Sequence, residues 1–133
     1  MGLSGHSDAD VLTHAVIDAV LGAIGEGDIG TLFPDDDAKY SGVSSVLLLA
    51  EVLDISSARG YAIINIDTVL VCDKPKLSPY IGAIKEALSK TAGLSPERVG
   101  VKATSTEGMG FTGRGEGIAA YAVVLLKENG KPG

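Results

Sequence analysis

The segment that most constrains the fold is residues 61–72, YAIINIDTVLVC. Six of its twelve residues are β-branched, and β-branched side chains favour strands because they pack well on a pleated surface. Parts of the segment also alternate apolar and polar residues, as a half-buried strand does. We therefore predict a strand here, which the following DKPK breaks. A single strand is not stable alone, so the rest of the chain must supply its partners and its cover.

A helix is predicted before this strand, with Ser7 as its N-cap and its end near residues 22–25. Asp8 and Asp10 would then lie in the first turn, where the helix dipole favours negative charge. Residues 25–42 follow as a long loop rich in Gly, Asp and Pro. Loops of this length inside a compact domain are usually functional or mobile.

The other segments complete one α/β domain over residues 1–133. Further helices are predicted from residue 44 or 45 to 59 and from 78 or 80 to 91, and strands over 99–103 and 117–127. This order predicts helices on one face of a small sheet. Three strands make a thin sheet for a chain that is 45% hydrophobic. We therefore expect another subunit to bury the other face.

Composition excludes several classes of protein. The formal net charge of −6 argues against a nucleic-acid binder, which needs a basic face. No apolar run approaches the roughly 20 residues that span a bilayer, and the first residues lack a signal-peptide pattern. Cys72 is the sole cysteine, so an intrachain disulfide is not expected, which fits a reducing compartment.

The stretch GHSDADVLTH, residues 5–14, groups two imidazoles with carboxylates around the predicted helix start. Asp10 and His14 are four apart and share a helix face. A carboxylate there can hydrogen-bond an imidazole and set its tautomer, as metal-bound histidines require. His14 on a rigid helix could therefore be a zinc ligand. The alternative is a capped helix with a polar face on which His14 is merely tolerated.

A second polar stretch follows the predicted strand at 99–103. Thr104, Ser105 and Thr106 offer hydroxyl and backbone donors, and Glu107 offers a hard oxygen ligand for Mg²⁺. These residue types suit a phosphate site, although an ordinary turn would have the same composition. An anionic ligand would need such local help because the chain as a whole is acidic.

Other polar positions have two readings each. Asp28, in an acidic glycine-containing loop, could accept hydrogen bonds from a sugar diol. The acidic run at residues 33–37 (FPDDD) could instead be a solvated turn. Lys76 could meet a phosphate or remain solvated. Arg114 and Glu116 lie between glycines. They could form an ion pair with each other or bind an anion.

Taken together and in this order, these stretches resemble one known family. GHSDADVLTHA, GDIGTLFPDDD, DKPKL, VKATSTEG and GFTGRGEG are similar to the 2-C-methyl-D-erythritol 2,4-cyclodiphosphate synthases of the non-mevalonate isoprenoid pathway. The resemblance covers residues 2 to 127. It implies an α/β protomer that forms a homotrimer, with active sites between neighbouring protomers. It also implies a lyase that converts 4-diphosphocytidyl-2-C-methyl-D-erythritol 2-phosphate to the 2,4-cyclodiphosphate and CMP.

The resemblance implies specific roles by position. His6 and Ser105 would stabilise the transition state, His14 would bind Zn²⁺, and Glu107 would bind Mg²⁺ or Mn²⁺. Residues 33–37 would form a lid over the substrate. The residues implied in substrate binding are His6, Ser7, Asp28, Ile29, Gly30, Phe33, Pro34, Asp35, Asp36, Asp37, Cys72, Lys76, Leu77, Thr104, Ser105, Thr106, Glu107, Phe111 and Arg114. Of these, Phe111 and Arg114, with Glu116, would face a central cavity of the trimer that can hold an isoprenoid diphosphate.

The sequence departs from the family pattern in two places. Ser105 replaces the usual threonine, which keeps the hydroxyl and loses the methyl that stiffens the side chain. Family members also carry, before His6, a segment of strands with an Asp-x-His pair that supplies the other two zinc ligands. We expect the sequence to be an incomplete record of a longer protein, located in a bacterial cytoplasm or a plastid stroma.

Two other functions stay open. One is a non-catalytic trimeric shell that binds isoprenoid diphosphates in its central cavity. The other is a generic metal phosphohydrolase built on His6, Asp8 and His14, which would release linear phosphate.

Overall fold

The computed structural model describes residues 2–27, 45–72, 78–104 and 118–129, and their side chains except those of residues 2–8 and 78–79. Within these ranges the chain forms three helices, three strands and one short 3₁₀ helix. They are α1 (Gly2–Ala23), α2 (Ser45–Ala58), β1 (Tyr61–Val71), α3 (Ser78–Ala92), the 3₁₀ helix Pro96–Arg98, β2 (Val99–Thr104) and β3 (Ala119–Glu128). The predicted order of elements is confirmed.

The three strands form one mixed sheet in the order β2-β1-β3. The β-branched segment supplies the central strand, β1, which runs parallel to β2 and antiparallel to β3. The chain returns from β1 to β2 through α3, because parallel neighbours need a long crossover. The predicted class, a small sheet covered by helices on one face, is confirmed.

The helices pack on one face of the sheet and form an aliphatic core. On β1 the side chains of Ile66, Thr68 and Leu70 alternate inward and are buried. Opposite them on β3 lie Ala120 and Ala122, whose small size leaves room for α1 to pack against the sheet. The buried apolar residues are Leu12, Val16, Ile17, Val20, Leu21, Leu48, Leu49, Val52, Ile66, Leu70, Cys72, Ile84, Leu88, Val99 and Val101.

Two polar contacts hold β1 in register. The buried Thr68 hydroxyl donates to the Gly100 carbonyl of β2 at 2.7 Å. The ladder between β1 and β3 shifts between Ile63 and Asn65, and the guanidinium of Arg98 donates to the Ile64 carbonyl at 3.4 Å. A β-bulge disrupts the local ladder, so Arg98 supplies a donor at the irregular position.

The other face of the sheet is apolar along β3 and exposed. Tyr121, Val123 and Leu125 are 61%, 71% and 55% exposed, and all three point away from the helices. Beside them, Asp67 of β1 pairs with Lys102 of β2. The predicted cover of this face by another subunit stays a prediction.

The first helix begins earlier than predicted. The predicted N-cap, Ser7, lies within α1, which already starts at Gly2, and the first turn contains no acidic residue. The prediction was wrong because a good capping residue favours a helix start without requiring one. Residues 2–6 contain no proline that would end a helix. Asp8 and Asp10 therefore lie beyond the first turn.

Each of the three helices is followed within two residues by a glycine with positive φ. Gly25, Gly60 and Gly93 all have positive φ, at 80°, 92° and 70°, which is the backbone conformation that closes helices. Just beyond two of these ends, Glu26 forms an ion pair with Arg59. This contact ties the end of α1 to the end of α2. No helix in the described part of the chain is long and apolar enough to cross a membrane.

Candidate functional site

His14 and Asp10 form a pair on the surface of α1. Their side chains are four residues apart, and Nε2 of His14 lies 3.7 Å from Oδ1 of Asp10. The side chains are 36% and 28% exposed, respectively. The imidazole is therefore not a core group, although its helix packs into the core through Leu12, Val16 and Ile17. A rigid helix thus presents a half-exposed imidazole.

One atom of this pair has an unusual environment. Oδ1 of Asp10 is buried and has no hydrogen-bond partner among the described residues. Buried carboxylate oxygens are normally hydrogen-bonded, and the nearby hydroxyl of Thr13 is already used because it donates to the Ala9 carbonyl at 2.8 Å. The His14 imidazole is positioned to supply the donor.

A second part of the candidate site lies where the parallel strands end. The backbone pairs Val71 with Thr104, and the Cys72 N–H donates to the Thr104 carbonyl at 2.9 Å. The sheet therefore brings Cys72 and Thr104 together, although they are far apart in the sequence. Ligands of α/β proteins often bind outside the carboxyl ends of strands.

The two residues present different groups at this edge. Cys72 is buried, at 7% exposure, whereas Thr104 is exposed. Because the Cys72 N–H and the Thr104 carbonyl bond each other, these two backbone groups hold the strands together. Among the described residues of this edge, Thr104 has an exposed side chain, so its hydroxyl can meet a ligand in solution.

Most of the other predicted site residues lie outside the described residues or their described side chains. His6 and Ser7 belong to α1 by their backbone. The residues outside the described ranges are Asp28, Ile29, Gly30, Phe33, Pro34, Asp35, Asp36, Asp37, Lys76, Leu77, Ser105, Thr106, Glu107, Phe111, Arg114 and Glu116. Among the side chains that the structure does describe, no three of His, Cys, Asp or Glu form a group that could hold a metal ion.

The family model that matches the chain is that of the YgbB family, and the match covers residues 1–127. The chain belongs to the YgbB family. It is 57% identical over 130 residues to the 2-C-methyl-D-erythritol 2,4-cyclodiphosphate synthase of Pelotomaculum thermopropionicum. That alignment covers 98% of this chain and 80% of the relative. The resemblance found from the motifs is confirmed.

Solved structures agree with this assignment. The bifunctional IspDF of Campylobacter jejuni superposes with a TM-score of 0.82 at 42% identity, over 89% of this chain and 32% of that longer one. The CDP complex of IspF from Plasmodium falciparum superposes with a TM-score of 0.79 at 28% identity, over 90% of this chain and 72% of the other. The fold described above is therefore that of the family.

The exposed residues Tyr121, Val123 and Leu125 were not among the residues predicted from the sequence motifs. A signal for them is present in the sequence, because residues 118–126 read IAAYAVVLL without a charged residue. A continuous apolar run is typical of a strand covered on both faces. The prediction that another subunit covers the outer face of the sheet rested on the small number of strands and not on this apolar run.

Proposed function

We propose that this chain is a 2-C-methyl-D-erythritol 2,4-cyclodiphosphate synthase, a phosphorus–oxygen lyase of the non-mevalonate route to isoprenoids. The observation that carries the proposal is 57% identity, over nearly the whole chain, to a protein of that name. A second relative of that name, from Syntrophotalea carbinolica, is 52% identical over 96% of the chain. The substrate is 4-diphosphocytidyl-2-C-methyl-D-erythritol 2-phosphate, and a related structure holds CDP.

The reaction is an intramolecular phosphoryl transfer. An oxygen of the 2-phosphate attacks the β-phosphorus, and a new P–O bond closes the cyclic diphosphate. The β-phosphorus loses its bond to the oxygen that bridges it to the α-phosphorus. CMP leaves with that oxygen. No covalent bond to the protein is needed. The protein therefore acts by holding the two phosphates in line and stabilising their charge.

His6 and Ser105 would stabilise the charge on the transferred phosphoryl group through hydrogen bonds. Ser7 would contact the substrate from the same helix as His6, and Thr104 and Cys72 would bind the cytidine diphosphate. The exposure of Thr104 at the carboxyl end of β2 supports this placement. The remaining proposed contacts are those of Asp28, Ile29, Gly30, Lys76, Leu77, Thr106, Glu107 and residues 33–37.

His14 would bind Zn²⁺ and Glu107 would bind Mg²⁺ or Mn²⁺. The described residues fit the first of these roles, because His14 is half-exposed on a rigid helix with a carboxylate beside one ring nitrogen. Metal-bound histidines commonly have such a carboxylate at the other nitrogen. When bound, the cations would offset the negative charge of the substrate. This help is needed because the chain itself has a net charge of −6.

We propose that the chain forms a homotrimer, and the exposed apolar residues of β3 support the burial of this face in a subunit interface. Tyr121, Val123 and Leu125 form a row on a strand that shares its sheet with the proposed substrate-binding residues Cys72 and Thr104. Burying this row in a subunit interface would remove apolar surface from water, the main driving force of association. Phe111 and Arg114 would line the central cavity of the trimer.

The proposal is tested by incubating the chain with the cytidine-diphosphate substrate and Mg²⁺. We expect CMP in the supernatant by chromatography and a cyclic diphosphate by ³¹P NMR, with both lost after EDTA treatment and restored by divalent metal. Glu107→Gln should mainly lower the magnesium-dependent rate of CMP release. Its control is Glu97→Gln, which removes an exposed carboxylate of the 3₁₀ helix. Release of inorganic phosphate without a cyclic product would instead favour a phosphohydrolase.

The alternative of a non-catalytic shell is not supported, since the relatives are named as synthases. The same assay distinguishes the two functions. Binding of an isoprenoid diphosphate without any release of CMP, with zinc and magnesium both supplied, would contradict the synthase proposal for this chain.

A further inference from the structure

We infer that Asp10 is a positioning residue for His14: its carboxylate accepts a hydrogen bond from Nε2–H and thereby leaves Nδ1 as the nitrogen that binds the metal. The inference deepens the proposed function and rests on it for the identity of the metal. Its geometric part concerns only two side chains of α1 and can be tested without any metal.

The first observation is the position of the carboxylate. Oδ1 of Asp10 lies 3.7 Å from Nε2 of His14, slightly beyond hydrogen-bond distance. A small rotation of either side chain closes that gap, because residues four apart on a helix are neighbours on its surface. The nitrogen that faces Asp10 is thus identified as Nε2.

The second observation is that this oxygen needs a donor. Oδ1 of Asp10 is a buried atom without a hydrogen-bond partner among the described residues. The adjacent Thr13 hydroxyl is already committed to the Ala9 carbonyl. An N–H of His14 would satisfy the buried oxygen, so burial favours the tautomer that carries its proton on Nε2.

The consequence follows from the chemistry of imidazole. A neutral imidazole has one N–H and one nitrogen with a free lone pair. If Asp10 holds the proton on Nε2, the lone pair is on Nδ1, and only that nitrogen can bind a cation. The hydrogen bond to Asp10 would therefore determine which nitrogen of His14 faces the metal.

The test is ¹⁵N NMR of the metal-free full chain, which has only two histidines, with His14→Gln used to assign the signals. We expect His14 of the unmodified chain to be the Nε2–H tautomer. Asp10→Ala should shift it toward a mixture of tautomers, whereas Asp10→Asn, which keeps an acceptor oxygen, should retain the preference. Asp54→Ala removes an exposed carboxylate from α2 and should leave His14 unchanged.

A zinc titration of the same chains supplies the second measurement. Loss of a partner to a metal-bound histidine typically weakens metal binding 10- to 100-fold, so we expect the zinc Kd to rise roughly 10- to 100-fold in Asp10→Ala. Circular dichroism should show unchanged helix content in each variant, because alanine is a strong helix former.

The outcomes separate the inference from the proposed function. An Nδ1–H tautomer in the unmodified chain, or an unchanged tautomer in Asp10→Ala, overturns the role of Asp10 even where CMP is released normally. A shift of tautomer in a chain that binds no zinc supports the role of Asp10 and contradicts the proposed metal.

Discussion

At the scale of single residues, exposure separates His14 from the core residues of its own helix. The aliphatic side chains on the inner side of α1 are fully buried, whereas His14 on the same helix is 36% exposed. The spacing of Asp10 and His14 predicted a shared helix face, and the structure confirms it. The function of His14 should therefore be separable from the stability of the helix.

We predict that His14→Gln lowers the zinc content of the purified chain and slows CMP release, with little effect on folding. Surface substitutions usually change the free energy of unfolding by less than about 0.5 kcal/mol. Metal analysis and thermal unfolding of the metal-free protein measure the two effects separately. Lys85→Gln, on the partly exposed surface of α3, is the control. An unchanged metal content in His14→Gln would argue against its role as a ligand.

At the scale of elements, backbone conformation decides how each helix meets its neighbours. Gly60 has a φ of 92° and forms the turn from α2 into β1. Its carbonyl accepts a hydrogen bond from Asn129 N–H at 2.6 Å, just after β3. Gly82, by contrast, is an exposed position inside α3, where an added Cβ would meet no atom within 4 Å.

We predict opposite effects for the same substitution at these two glycines. Gly60→Ala should destabilise the fold by roughly 1–2 kcal/mol, because L-residues are strained in the left-handed region. Gly82→Ala should stabilise it by roughly 0.5–1 kcal/mol, because glycine has the larger conformational freedom to lose in a helix. Urea unfolding followed by circular dichroism measures both. A stabilising Gly60→Ala would show that the turn tolerates a side chain.

At the scale of the whole molecule, the sheet has one face covered by helices and one that is apolar along β3 and exposed. The row Tyr121, Val123 and Leu125 is exposed beside the polar pair Asp67–Lys102. Assembly would bury the apolar row, whereas isolated surface pairs of charges contribute little stability. We therefore expect association to depend on the β3 row.

We predict that Val123→Asp converts the assembled protein to monomers, because a charge in an apolar interface has no partner there. Light scattering after gel filtration measures the mass. Leu47→Asp is the matched control: Leu47 is 64% exposed, but on α2 rather than on the sheet. Retained assembly in Val123→Asp, or an equal loss in Leu47→Asp, would contradict the proposed interface.

The sequence by itself determined the elements and the family. Local patterns were sufficient for the β-branched strand, the approximate ends of the helices and the motifs of the YgbB family, because each depends on residues close in the chain. The N-cap of α1 was predicted at Ser7, whereas the helix already begins at Gly2. Capping preference is a weak local signal when no residue upstream prevents the helix from continuing.

Only the tertiary structure decided which distant residues meet. The pairing of β1 with β2 joins Cys72 to Thr104. Burial leaves Oδ1 of Asp10 without a hydrogen-bond partner among the described residues. The same packing leaves the row on β3 exposed. Strand register and burial depend on contacts between residues far apart in the chain, so no local pattern specifies them.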